Sequence, residues 1–459
     1  MHTKAAKKDV NMLSGSIMKG LLSISIPIMI MNVAMQLFNV VDMTVLRMFD
    51  SSGGFAVGAV GACSVLISLI TGLLIGCSSG ANVVIAKYIG MGNREKAERA
   101  TGVAMLFALV GGLALSIIGV SFAGVFLKLT NCPDDLLQSS VLYFRMYFGG
   151  VPILMVYNFS AAILRSTGDS KRPMMFLIIG SAVKLSFNLI FVAGLKMTVA
   201  GVGFATIISW IVMTTLGITA LIKNEGATKL RFSRLRFYGD ELKEILIIGI
   251  PAGLQQALYS IANVIITTTV NSYGKEASTG ISIANNFDAI LYQIATAPAL
   301  AVMPYVSQNI GHEDPKRAKK AVICGMLITT VLGATFGALS AIFSPQLSSL
   351  MSANPTVIAY SCQKMMIISS TYFICGINDI FGASLRAMGR PNLPTISTLI
   401  YMCALRFVWV YLLFPLCPNF TFLYLVWPVG WTLSIITLLP FYIITFKKLQ
   451  NKSEEKQAV

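Results

Sequence analysis

Charge is scarce in this chain of 459 residues. Asp, Glu, Lys and Arg make up 12% of it, where soluble domains carry about 25%. That shortage excludes an ordinary soluble fold, and a hydrophobic fraction of 55% with mean hydropathy +0.75 points into the bilayer. Histidine is scarcer still. His2 and His312 both lie outside the apolar runs, which excludes a histidine proton relay through a membrane. The eight cysteines show no CxxC spacing and mostly fall within apolar runs, so they read as small hydrophobes. Nucleophile elbows, metal-ligand clusters and phosphate loops are missing too. "GVGFAT" at Gly201 resembles a dinucleotide loop only faintly, because no strand precedes it, and small-residue helix packing accounts for it. An enzyme is not expected. Nor is a cleavable signal, since the first apolar run is too long for an h-region and no small-residue cleavage site follows it.

What the chain does have is apolar runs of about 20 residues, the length a spanning helix needs. Twelve are expected, near 21–46, 56–86, 100–127, 139–164, 174–195, 199–222, 245–270, 279–308, 321–343, 357–385, 395–417 and 421–446. The fold class is therefore an all-α polytopic membrane protein. Its formal charge of +16 does not indicate nucleic acid. With a cytoplasmic N-terminus, 27 Lys and Arg fall on the inside, against Arg47, Lys128, Lys196 and Lys275 outside. That is the positive-inside bias. It puts both termini in the cytoplasm of a multi-pass cell-membrane protein whose partner is the lipid bilayer. The basic stretch "KLRFSRLRFYGDELKEIL" suits an anionic lipid surface.

The chain is also written twice. "AAILRSTGDSKRPM" and "GASLRAMGRPNLPT" set Arg165, Gly168 and Pro173 against Arg386, Gly389 and Pro394, each pair 221 residues apart. "YIGMGNREKAERA" matches "NIGHEDPKRAKKA", with Gly90 over Gly311 and Ala97 over Ala318. "ISIPIMIMNVAMQLFNVV" matches "IGIPAGLQQALYSIANVI", with Pro27 over Pro251 and Asn39 over Asn263. Two homologous six-helix lobes follow, at 1–222 and 244–446, joined by a basic linker at 223–243 and ended by a tail at 447–459. Six is even, so the lobes are parallel repeats about a pseudo-two-fold axis along the membrane normal, the plan of transporters that rock between two states. The repeated inner-loop arginines are explained equally by topology, and their Gly and Pro by ending one helix and starting the next.

With "LRSTGDSKRPM", the first helix "IPIMIMNVAMQLFNVVD" and the paired six-helix halves, the chain resembles the multidrug and toxic compound extrusion family over essentially its whole length. It is closer to that family's prokaryotic DNA-damage-inducible-type branch. The resemblance implies a secondary active antiporter that exports amphipathic, often cationic, organic compounds in exchange for H⁺ or Na⁺. The alternative within the same superfold is a flippase for a lipid-linked oligosaccharide or other lipid. No cofactor beyond the coupling ion is implied, and a monomer is expected.

Ionisable groups inside spanning helices are costly and are functional hypotheses by default. Here they are Asp42, Asp288 and Asp379, with Arg145, Lys184, Lys364 and Arg406. Without an embedded histidine, coupling falls to a carboxylate. Asn32, Gln36, Asn39 and Asp42 share a wedge of about 120° on the first helix. Gln256, Ser260 and Asn263 take the matching places in the second half. The two stripes are expected to line a substrate cavity, or else to glue helices together. The resemblance adds that an Asp in the first helix and an Asn in the fifth form part of the cation-coupling site, which are Asp42 and Asn188 here. Val192 stands where many members of that branch carry a second Asp, and Tyr259 where the other prokaryotic branch has an acid. A Na⁺ site at Asp42 would therefore have fewer carboxylate ligands than in those relatives, which leaves the coupling ion open between H⁺ and Na⁺. Lys184, one turn before Asn188, has Asp42 or backbone carbonyls as candidate partners. Asp379, the repeat counterpart of Asn158, marks the second half of the cavity or pairs with Lys364 or Arg406.

Overall fold

Apolar runs of this length form helices because lipid offers a backbone N–H or C=O no partner, so each segment must satisfy its own. A computed structural model describes residues 10–49, 55–130 and 132–457. Every regular element among them is helical, and twelve are long and apolar enough to cross a membrane. They are α1 (Ile17–Phe49), α2 (Phe55–Gly90), α3 (Arg94–Leu129), α4 (Asp134–Ser166), α5 (Lys171–Gly194), α6 (Val199–Ile222), α7 (Gly239–Asn271), α8 (Lys275–Gly311), α9 (Pro315–Ile342), α10 (Pro355–Ala387), α11 (Asn392–Leu416) and α12 (Val426–Gln457). A short turn of helix, Ser344–Ser349, follows α9, and another, Phe420–Tyr424, leads into α12. The expected spans are all present. They run longer than apolar content alone suggests, since polar ends stay helical when capped. Thus α12 continues through most of the expected tail, where the Ser453 hydroxyl donates to the Glu313 carbonyl at 2.7 Å.

The repeat is legible in the backbone. Gly168 and Gly389 both take left-handed angles, φ +90° and +76°, in the turns after α4 and α10. In each turn the glycine N–H donates to the carbonyl of the repeated arginine, Arg165 or Arg386, at 3.0 Å. Glycine takes such angles without the Cβ clash other residues meet. The turns after α2 and α8 place Gly92 and Glu313 at φ +69° and +59°. Asn93 and Asp314 then cap α3 and α9, accepting from the Lys96 and Arg317 backbone N–H at 3.0 and 2.9 Å. Close helix crossings repeat too. A Cβ on Gly112 would lie 2.7 Å from Pro152 Cα, and one on Gly333 2.8 Å from Phe373 Cα. The last turns of α5, Leu189–Gly194, and the α11 stretches Leu399–Ala404 and Trp409–Leu413 are wound as π-helix, a form that collects at functional sites.

The chain divides into two compact units. The first holds Val33–Ile89 and Asn93–Gly249; the second holds Val10–Asn32, Gly90–Gly92 and Ile250–Val459. In the first, α4 is the central helix, packed along α3 and α6, while α5 lies along α6. The linker ahead of α7 is fastened to the start of α3. Glu95 pairs with Arg234 and Glu98 with Arg231, each at 3.4 Å, and the Arg99 guanidinium lies 5.0 Å from the Tyr238 ring centre. The Tyr238 hydrogen bond, more than the Glu95 charge, raises the Arg234 pKa above its ordinary value. In the second unit α10 is central, packed along α8, α9 and α12. The segment ahead of α1 is fastened there by Arg317, which donates to the carbonyls of Met12, Ser14 and Gly15 at 3.1, 2.8 and 3.0 Å.

Candidate substrate and coupling-ion site

In the first unit the hydrogen bonds described within the interior join neutral groups. Thr71 on α2 and Tyr147 on α4 share a hydrogen bond at 3.0 Å, and the Tyr147 ring meets Trp210 of α6 edge-on at 4.9 Å. Asn158 donates back to the Leu154 carbonyl at 3.0 Å, and Asn82 to Ala162 at 2.9 Å. Asn188 is 1% exposed and stands where α5 passes into its π-helical turns. Lys184, one turn earlier, is half-buried, as is Gln36 on α1; Asn32, on the part of α1 that belongs to the second unit, is half-buried too. The side chains of Asn39 and Asp42 lie outside the described residues, and with them any pairing of Asp42 with Lys184. Arg145 is exposed on α4, and Val192 is buried.

The second unit keeps its charges inside. α8 and α10 bring Asp288 and Lys364 together, Oδ2 to Nζ at 2.8 Å, with side chains only 8% and 6% exposed. Asn285, one turn before Asp288, accepts from the same ammonium, and the Ser369 hydroxyl reaches Asp288 Oδ1 at 3.5 Å. Arg406 is 2% exposed. It donates to Asn263 Oδ1 on α7 at 2.7 Å, and its guanidinium lies 4.7 Å from the Trp427 ring centre. Arg386, at the end of α10, donates to Gln255 of α7 at 2.8 Å. Two turns earlier, half-buried Asp379 is close enough for Arg386 to be the main charge acting on it. Its neighbour Asn378 accepts from Ser434 at 2.6 Å. These groups follow one face of α10, since 364, 368, 372, 375, 379, 382 and 386 are three or four apart.

Of the sequence-predicted cavity residues, the structure joins Asn263 to Arg406 directly. Gln256 and Ser260 share a turn of α7, with the Ser260 hydroxyl donating to the Gln256 carbonyl at 3.4 Å. Lys364 goes to Asp288, and Arg406 to Asn263 and Trp427, instead of to Asp379 as the sequence allowed. In the loop motif, Pro173 and Pro394 are buried. Asp169 pairs with Arg172, whereas the second copy has Arg390 and Leu393 at those places and no such pair. Sequence reasoning missed Gln255 and Trp427. Gln255 had a signal, as a polar residue one turn after Pro251 in an apolar run; Trp427 had none.

The same duplication appears when the chain is compared with known proteins. The MatE family model matches twice, at residues 27–190 and 251–412. A probable multidrug resistance protein, YoeA of Bacillus subtilis (strain 168), is 26% identical over 439 residues, covering 93% of each chain. A FAD transporter of Shewanella oneidensis is 25% identical over 412 residues, covering 88% of each. The fold is that of the crystal structure of MATE in the straight conformation. It aligns with TM-score 0.90 at 20% identity, over 97% of this chain and 99% of that one. With both halves matched over most of their length, the chain belongs to the MatE family and is a multi-pass membrane transporter, not an enzyme.

Proposed function

We propose that the protein is a secondary active antiporter, exporting amphipathic and often cationic organic compounds in exchange for H⁺ or Na⁺ by alternating access. The observation that carries this reading is the set of ionisable side chains within spanning helices, Asp288, Lys364 and Arg406 buried and Asp379 half-buried, in a duplicated transporter fold. Charges there cost free energy, so those that are kept mark a substrate pathway or a coupling step by default. The relatives named as multidrug resistance proteins support small organic substrates. The charge asymmetry supports cytoplasmic termini in the cell membrane, and one chain carries both repeats, so a monomer suffices.

Asp42 is the coupling carboxylate in this reading, with Asn39, Asn188 and Lys184 as its polar surroundings. A bound proton or Na⁺ neutralises it, and only a ligand with different affinity for the two states shifts their balance. The test uses proteoliposomes and a fluorescent organic cation such as ethidium, with a pH gradient and a Na⁺ gradient imposed separately. At least one gradient is expected to drive dye against its concentration. If neither does with folded, reconstituted protein, the antiport reading fails. Asp42→Asn is expected to abolish gradient-driven movement while leaving dye binding at equilibrium intact. Undiminished driven transport would move the coupling role elsewhere, first to Asp379.

A further inference from the structure

Lys364 and Asp288 form a buried ion pair that the packing of their helices does not require. α8 and α10 already approach through small residues: a Cβ on Gly280 would lie 2.5 Å from the Val357 carbonyl oxygen, and one on Gly376 2.6 Å from that of Ala295. Replacing a buried ion pair by apolar residues of like volume is often neutral or stabilising. At the 221-residue interval the first half has Ile67 and Tyr143 instead, so the fold is built there without the charges.

The surroundings of the Lys364 ammonium describe what they recognise. It holds the Asp288 carboxylate at 2.8 Å and the Asn285 amide oxygen, and lies 5.8 Å from the Tyr424 ring centre. The Tyr424 hydroxyl is buried and has no hydrogen-bond partner. Tyr424 stacks on Trp427 at 5.3 Å, and Tyr372, one turn beyond Ile368 on α10, packs against Trp431 at 5.8 Å. A carboxylate, an amide oxygen and aromatic faces together make the usual receptor for an organic ammonium group. Beside them α10 and α12 border a mostly apolar cleft of about 590 Å³, lined by Met366, Ile367, Thr371, Leu425, Val429 and Leu433. Ile367 and Val429 of that lining pack against the Tyr424–Tyr372–Trp431 cluster.

We infer that Asp288, Asn285 and Tyr424 form a binding site for amphipathic organic monocations, in which Lys364 is a tethered stand-in that the ligand displaces. The ligand's cationic head takes the place of the Lys364 ammonium, and its apolar body lies along the cleft. A lysine suits the role because its charge rides on a flexible four-carbon stem. The inference rests on the export reading and adds to it the anchor of the cationic head in the second unit. It also explains why an acid and a base are kept together there: the site stays neutral when empty, and the competition limits affinity so that cargo can leave.

The test is equilibrium binding to purified protein in detergent, with no gradient, using ethidium as the cation and Nile red as an uncharged dye of similar size. Lys364→Met is expected to lower the ethidium Kd roughly tenfold, about 1.4 kcal/mol, with little change for Nile red. The double variant Asp288→Asn/Lys364→Met keeps the pair's shape without its charge. It is expected to raise the ethidium Kd at least tenfold above the parent's and leave Nile red unchanged. Weaker ethidium binding in Lys364→Met would overturn the inference, because Lys364 would then be a contact and not a competitor. Parent-like ethidium binding in the double variant would overturn it as well, and that variant carries the test if the single one does not fold. Ethidium that binds through Asp288 but moves under neither gradient would sink antiport alone. Driven efflux with binding unaltered in both variants would sink this site alone.

Discussion

Two copies of one loop, 221 residues apart, share a backbone and disagree in charge. After α4 and after α10 the chain turns on a left-handed glycine, Gly168 or Gly389, and re-enters a helix with a buried proline. Yet Asp169 and Arg172 pair in the first copy, while in the second Arg386 reaches across to Gln255. The same contrast runs through the helices. Gly112 and Gly333 seat equivalent crossings, whereas Ile67 and Tyr143 stand where Asp288 and Lys364 form an ion pair. What the halves share is what a helical hairpin in a membrane must have. Where they differ, the difference is chemistry, and among the described residues the buried ion pair belongs to the second unit.

The contrast breaks most sharply at the ion pair. Asp288→Asn alone leaves the Lys364 ammonium buried without its counter-charge, a change expected to cost about 3–5 kcal/mol. The thermal unfolding midpoint in detergent should fall steeply, and Asp288→Asn/Lys364→Met should recover most of the loss. If the double variant is no more stable than the single one, the pair is a structural keystone and the halves differ in stability instead of chemistry.

A smaller effect tests the shared scaffold. Gly112→Leu and Gly333→Leu each push a side chain into a neighbouring backbone, at a cost of about 1–3 kcal/mol for overpacking. Similar midpoint losses are expected from the two. A loss confined to one half would show that the repeated crossing is not equally tight. Smaller again are Gly168→Ala and Gly389→Ala, each of which places a Cβ on a left-handed residue for about 1–2 kcal/mol. Because the penalty is local backbone strain, the two values should agree within about 0.5 kcal/mol. Disagreement would mean that one of the loops makes a tertiary contact the other lacks.

The sequence by itself determined the class, the spans and the duplication. Lipid leaves the backbone no partner but itself, so twelve apolar runs must become helices, and matching Gly and Pro at a fixed interval must become matching turns. It also picked out the charges deep in the apolar runs, because twenty apolar neighbours make an Asp288 or an Arg406 conspicuous, but it read Arg386 as part of a loop where the helix carries it. Partners were another matter. Lys364 had Asp379 as a candidate and found Asp288; Arg406 found Asn263 and the ring of Trp427; Arg386 found Gln255 on a helix 131 residues away. Each choice depends on which faces of α7, α8, α10, α11 and α12 meet, and at what height. A turn of helix shifts a side chain by about 5.4 Å along the axis, more than the length of an ion pair, while the one-dimensional pattern stays the same. Pairing is decided by packing, and packing by the small residues that let particular backbones approach.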